Sequence, residues 1–291
     1  MYELHHLKGN TYYIDGPTNL GVYKLNDTDC VLIDSGTSKE GPIIETILRR
    51  HGLKLKYLIN THCHVDHSGS NLYLKKITGC KIIASRVERA FFTDSQLDLS
   101  FMYGGYPLEE YNSYLLHVDE NKDTCSLENM PRDLRYFDLP GHHHGMIGVR
   151  TSDGVYFVAD TICTKELIDK QHIMLVYDVE GYFNSLDLVK SFHGNIIVPS
   201  HCPVTTDIKD LAQYNKDKMY EIINLIKSLL KENDYTAEEL VSKIFDQYKL
   251  KITYNKHLLI NSTIKSYLSY LANRKEISHF FKDNKLYFTN K

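Results

Sequence analysis

Residues 61–70 read THCHVDHSGS. Three histidines and an aspartate (His62, His64, Asp66 and His67) fall within six positions of a 291-residue chain that holds 15 histidines. The preceding LKYLIN, residues 55–60, is apolar enough to be a buried strand, so the polar burst begins where that strand ends. Histidine and aspartate are common ligands of zinc and related ions. Two histidines one residue apart can close on one ion from a single turn, and the aspartate and histidine after them can face a second.

One loop does not complete a metal site, so further ligands must come from other strand ends. LPGHHHGMIGV (139–149) places His142 after a strand and a Pro-Gly turn. VYFVADTI (155–162) puts Asp160 at the end of an apolar strand, where a bare carboxylate is costly to bury and calls for a partner. NIIVPSHCP (195–203) does the same with His201. In an open α/β sheet, function gathers at such ends.

THCHVDH matches the HxHxDH signature of the metallo-β-lactamase superfamily. PGHHHGMIG resembles that family's PGHTPGS turn, VADT its GDT and VPSH its PGH, in the same order and across residues 10–205. The resemblance implies an αββα sandwich that holds two divalent ions. His62, His64 and His142 would bind the first, Asp66, His67 and His201 the second, and Asp160 would bridge them. Asp34, in LIDSG, resembles a position that supports a ligand histidine from behind. The chain departs from the pattern at His143 and His144, which replace Thr and Pro. His142 is taken as the ligand because Pro-Gly precedes it and Gly145 keeps the register, with His144 as the alternative. Ala159 stands where Gly is common, a mild change. Cys63 and Cys202 sit beside ligands and are expected to pack rather than bind. His5, His6, His51, His117, His172, His193, His257 and His279 are isolated and read as structural or surface residues; His172 is the one that faces the cleft if any does.

This ligand set points to metal-assisted hydrolysis. Two ions about 3.5–4 Å apart share an oxygen and bring the pKa of water toward about 7, giving hydroxide at neutral pH. Asp66 and Asp160 are then the catalytic groups that hold or relay protons. No GxSxG or other nucleophile motif is present. Zinc is the default ion; iron and manganese fit the same donors.

The first half alternates strand-like and helical runs, as an α/β sandwich requires. SKEGPIIETILRRHGL (38–53) has helical spacing, with Ser38 as its cap. The catalytic unit is expected over 1–208 and a helical, winged-helix-like unit over 209–291. In the latter, TAEELVSKIFDQY carries a Thr236–Glu239 capping-box pattern, and two apolar runs around Asp283–Asn284 form a hairpin. Residues 216–291 carry 14 Lys and Arg against 9 Asp and Glu, a balance of +5 within a chain of net charge −3. Such a tail suits contacts with single-stranded nucleic acid, a cover over the sandwich, or homodimerisation. The six cysteines form no CxxC pair, and no basic stretch followed by an apolar run opens the chain, so a cytoplasmic protein is expected. No run is long enough to span a membrane.

Residues 91–118 form an aromatic-rich insertion containing Phe101, Met102, Tyr103, Tyr106, Tyr111 and Tyr114, with Gly104–Gly105 as a hinge. It is read either as a helical hairpin burying its own aromatics or as a wall of the metal cleft; residues 164–185 are the next candidate wall. The leading expectation is a hydrolase of a small thioester, ester or lactone. The alternatives are a phosphodiesterase acting on single-stranded RNA and a catalytically silent, metal-bound regulator that binds nucleic acid.

Overall fold

The structure, a computed structural model, describes residues 2–111 and 120–290. Tyr114, His117 and the end of the 91–118 insertion lie outside the described residues. The first sheet runs in chain order: β1 (Leu4–Lys8), β2 (Thr11–Ile14), β3 (Leu20–Lys24), β4 (Asp29–Ile33), β5 (Lys54–Ile59) and β6 (Lys81–Ile83). Its first four strands are antiparallel hairpins; β4, β5 and β6 run parallel. The second sheet holds β7 (Leu134–Asp138), β8 (Ile147–Thr151), β9 (Val155–Phe157) and β10 (Ile196–Val198), ordered β10-β9-β8-β7. β1 is a strand that the sequence reading did not anticipate.

Strand alternation builds two cores from one sheet. Val31 and Ile33 of β4 point inward, with Ile59 and Ile83, against Val149, Val155 and Phe157 of the second sheet. Cys30 and Leu32 point outward, against Ile44, Ile47 and Leu48 of α1 (Gly41–Arg50) and Leu74 of α3 (Asn71–Thr78). Leu55 and Leu58 of β5 both face outward, although their spacing is odd. The β4–β5 register shifts between Cys30 and Val31, and such an irregularity re-phases the alternation. Helix α1 starts at Gly41 with Glu40 at its N-cap and Pro42 in the first turn, not at Ser38. Proline needs no N–H at that position and has the φ of the helix already.

The outer face of the second sheet is covered by helices. Val158 and Ile197 share a core with Tyr182, Leu186 and Val189 of α7 (Val179–Ser191). The same core runs on into α8 (Lys209–Glu232), α9 (Ala237–Gln247) and α10 (Tyr254–Asn273), through Ile222, Ile226, Leu240 and Ile264. The layers are thus α/β/β/α. The Thr236–Glu239 capping box is present in both directions. The chain ends in the hairpin β11 (Ser278–Lys282) and β12 (Lys285–Thr289), with Asp283 and Asn284 at positive φ in its turn, as a primed two-residue loop requires.

α4 (Arg86–Phe91) leads into the insertion, whose first helix is α5 (Leu97–Tyr103). Its aromatics do not simply pack on one another. Leu99 and Tyr111 join Leu258 of α10 in a small core, and the Tyr111 hydroxyl lies 2.9 Å from His257 Nδ1. Among the described residues the remaining α-helices are the one-turn α2 (Val65–Ser68) and α6 (Lys165–Gln171). Among the described residues, no helix is long and apolar enough to cross a membrane.

Candidate metal centre

Asp34 follows β4, His62 and His64 follow β5, His142 follows β7, Asp160 follows β9 and His201 follows β10. Both sheets deliver these side chains to one edge. His62 and His142 present Nε2 to His64 Nδ1 at 3.0 and 3.1 Å. His201 Nε2 lies 3.2 Å from Asp66 Oδ2, and His67 Nε2 lies 3.7 Å from the same oxygen. Asp160 sits between the groups: Oδ2 is 3.5 Å from His142 Nε2 and 3.3 Å from His201 Nε2, and Oδ1 is 3.1 Å from His67 Nε2.

The outer nitrogens are held from behind. Asp34 Oδ2 is 2.8 Å from His67 Nδ1, while its carboxylate also accepts the Thr61 N–H and hydroxyl at 2.7 and 2.8 Å. Thr61 Oγ1 lies 3.0 Å from His62 Nδ1. The Pro17 carbonyl lies 2.9 Å from His201 Nδ1 and fixes that ring with Nε2 facing inward. The His67 carbonyl accepts from Ser35 N and Asn60 Nδ2, at 2.7 and 2.9 Å, which pins the loop itself. Gly141, at φ +134°, admits no side chain: a Cβ there would meet the Tyr182 backbone at 2.4 Å. That close approach sets His142 in place.

Charge divides the cluster. Burial, with the neighbouring His67 and His64, holds His62 far below the usual histidine range. Burial likewise lowers His142, to about 3, and lowers His64. These three rings are neutral and offer lone pairs. Burial also disfavours charge on His67 and His201, but there the carboxylates outweigh it. Asp160, Asp66 and Asp34 raise His67 well above the usual range, and Asp160 with Asp66 raises His201 to about 10. Asp66 and Asp160 are pulled below the usual carboxylate range by those histidines, against their own burial.

His67 Nε2 and Asp160 Oδ1 are buried and face each other, yet neither makes an aligned hydrogen bond. Orphaned polar atoms in an interior are costly. Here they flank converging imidazole and carboxylate donors, which is the chemistry of a transition-metal site. The donors group as His62, His64 and His142, and as Asp66, His67 and His201, with Asp160 against both. The residues present fit two ions.

A family model described as the metallo-β-lactamase superfamily matches residues 13–201. The chain belongs to the metallo-β-lactamase superfamily. It is 27% identical over 150 residues to a probable metallo-hydrolase of Methanocaldococcus jannaschii, covering 49% of this chain and 66% of that protein. It is 43% identical over 123 residues to a hydroxyacylglutathione hydrolase of Methylococcus capsulatus (42% and 39%), and 35% identical over 103 residues to the mitochondrial persulfide dioxygenase of Homo sapiens (30% and 36%). The matches thus span between about a third and two thirds of these relatives. A β-lactamase domain protein from Burkholderia ambifaria shares the fold, with a TM-score of 0.74 at 16% identity over 99% of this chain and 93% of that one. That structural likeness takes in the C-terminal helices.

Within this metallo-β-lactamase scaffold, His144 turns away from the cluster and packs edge-on against Tyr177. His172 also leaves the cleft, stacking on Tyr248 at 4.5 Å. Cys202 Sγ lies 3.4 Å from the Ile162 carbonyl. Ala159 is at φ +48°, a region that L-residues enter at a cost, so the replacement of Gly is less mild than its size implies. The sequence reading missed the surroundings of His143. Its Nδ1 is 2.7 Å from Glu88 Oε1 and its Nε2 is 3.1 Å from Asp98 Oδ1, while Cys63 Sγ lies 3.8 Å from Nε2. The one signal for Asp98 was an acid set between Leu97 and Leu99.

The clustered side chains open into a cleft of about 380 Å³, lined by His64, Asp66, His142 and Asp160. Its other walls are Leu167, Gln171, Ile173, Met174 and Leu175 from the 164–185 segment and Asn255, Lys256, Leu259, Ile260 and Thr263 from α10. A larger cleft of about 700 Å³, lined by Phe101, Tyr177 and Arg274 among others, includes none of the clustered ligands. The aromatic insertion therefore borders that second cleft, while the cleft beside the cluster carries aliphatic and polar side chains and no residue of the insertion.

Proposed function

We propose that the protein is a binuclear metallo-hydrolase of small thioesters or esters with an apolar acyl group. One observation carries this reading: seven imidazole and carboxylate donors from four chain segments meet at the floor of a cleft whose walls are largely apolar, with Gln171, Asn255, Thr263 and one ammonium group, Lys256, among them. The similarity to a hydroxyacylglutathione hydrolase supports an acyl substrate. Such pockets, apolar with a few placed polar groups, suit small molecules.

His62, His64 and His142 would hold one ion and Asp66, His67 and His201 the other, with Asp160 between; zinc suits this set. When bound, the ions would supply Lewis acidity that ionises water and polarises a carbonyl. The chain's own residues do the rest. Leu167, Met174 and Leu259 take the acyl chain and exclude bulk water. Lys256 orients an anionic or carbonyl-rich end of the substrate. Asp66, whose side chain remains about a third exposed, is placed to take a proton from the attacking water at Oδ2 and return it to the leaving sulfur or oxygen. Asp160, buried, keeps its charge and holds His67 and His201 in line.

Purified protein with measured metal content, offered thioesters, lactones and fluorescent single-stranded RNA, tests the reading. Thioester turnover that falls at least about 100-fold in His64→Ala and Asp160→Asn is expected. RNA cleavage that disappears in those variants, or oxygen consumption by an iron-loaded form without hydrolysis, would overturn it.

A further inference from the structure

We propose that Cys63, Asp98 and His143 form a third metal site, for a borderline-soft divalent ion such as zinc, that ties the aromatic insertion to the HxHxDH loop. This site lies outside the seven-donor cluster and does not depend on that cluster's reaction.

The donor set is mixed: one thiol, one imidazole and one carboxylate, the combination that zinc and cobalt(II) accept. The three donor atoms lie within 4.8 Å of one another and all three residues are buried. Zinc bonds of about 2.0 Å to nitrogen and oxygen and about 2.3 Å to sulfur give tetrahedral edges of about 3.3–3.5 Å. The structure has 3.1 Å between His143 Nε2 and Asp98 Oδ1 and 3.8 Å between His143 Nε2 and Cys63 Sγ. Both of these edges are within about 0.3 Å of that geometry, and the third, from Cys63 Sγ to Asp98, is no longer than 4.8 Å, inside the reach of small side-chain adjustments.

The surroundings are those of a metal-ligating histidine. Glu88, with no exposure at all, places Oε1 2.7 Å from His143 Nδ1 and leaves Nε2 facing Asp98 and Cys63. The same carboxylate accepts the Gly145 N–H at 2.8 Å and, through Oε2, the Cys63 N–H at 2.9 Å. One buried acid therefore positions two of the three donor segments and orients the imidazole, as outer carboxylates do for zinc-bound histidines. Phe91 closes the far side, its ring 4.8 Å from that of His143. The site also accounts for the histidine where the family turn has threonine: a threonine at 143 would leave Asp98 without its partner.

Occupancy forms metal bonds to Sγ, Nε2 and a carboxylate oxygen. The Cys63 thiol proton, and the Nε2 proton if His143 is charged, pass to solvent. Asp98 sits on α5, Cys63 on the loop after β5 and His143 on the turn after β7, so a bound ion would staple three segments that are distant in sequence.

Cobalt(II) titration of chelator-stripped protein tests this without any assay of turnover. The seven-donor cluster has no thiolate, so a near-ultraviolet thiolate-to-cobalt charge-transfer band reports the new site alone. We expect that band in the wild type, saturation near three equivalents per chain, loss of the band with saturation near two in Cys63→Ser, and at least tenfold weaker loading of the band in Asp98→Asn. Absence of the band in the wild type at saturating cobalt overturns the proposal, whatever the fate of the variants. So does a band that survives in Cys63→Ser, because it then belongs to another thiol. The wild-type spectrum and the isosteric Asp98→Asn keep the test decisive if the cysteine variant does not fold.

Discussion

Asp34 Oδ2 stands 2.8 Å from His67 Nδ1, and Asp34 itself is held at φ +61° at the end of β4. A residue in that conformation spends free energy that the local chain does not return. Its carboxylate is returned as order: it orients His67, satisfies Thr61 twice, and through Thr61 reaches His62. One side chain thus supports a member of each proposed ligand group.

Removing that support should weaken metal binding without emptying the cluster. Asp34→Ala is expected to lower affinity for the His67-containing site by about 10–100-fold, with a smaller effect on the other site. Competition against a chelator, read as two separable binding steps, checks this. Equal weakening of both steps, or none, would contradict the assignment of Asp34 to His67.

Ala159 offers a stability test one residue from Asp160. Its φ of +48° costs an L-residue roughly 1–2 kcal/mol, while glycine at the same position gives back part of the gain as unfolded-state entropy. Ala159→Gly should stabilise the protein by about 0.5–1 kcal/mol, a rise in Tm of about 1–3 °C by calorimetry. A fall in Tm would mean that the buried methyl packs better than the backbone suffers.

The metal-stripped protein should be most stable near pH 6.5. His142, lowered to about 3, and the likewise lowered His62 stay neutral when folded but charge when unfolded. Their stabilisation is present above the unfolded value of about 6.5 and is lost as pH falls toward the folded one, at up to about 1.4 kcal/mol per pH unit for each ring. His201, raised to about 10, behaves oppositely: its contribution is full below about 6.5 and fades as pH rises toward 10. Urea midpoints measured from pH 4 to 10 should trace a dome. His142→Gln should flatten its acid limb and His201→Gln its alkaline limb; unchanged limbs would refute the charge assignment.

Lys256 lies on α10, 55 residues beyond the nearest proposed ligand in sequence, His201, yet lines the same cleft as His64 and Asp160. Lys256→Ala should raise KM for a thioester with an anionic tail by about tenfold and leave kcat within about twofold, the pattern of lost uniform binding. A loss confined to kcat would place the ammonium at the reacting bond instead.

Much of this was legible in the chain. HxHxDH after an apolar run, a lone acid after VYFVA and a histidine after IIVPS all mark strand ends. A carboxylate or imidazole directly after a buried strand has few places to point. The Thr236–Glu239 cap and the Asp283–Asn284 turn are local hydrogen-bond and φ requirements, so they too could be read from neighbours in sequence.

What needed the tertiary structure was every relation between segments that no periodicity links. Ser38 lost the cap of α1 to Glu40, two residues on, because the turn over residues 37–40 precedes the helix. His142 and His144 differ by two positions in one loop, and it is the folded turn that brings His142 to His64 and His144 to Tyr177. Glu88, Asp98 and His143 carry no shared motif; they become one buried network because the insertion folds back onto the loop. Local chemistry is written along the chain, whereas which distant side chains share a low-dielectric interior is settled by how the sheets and helices pack.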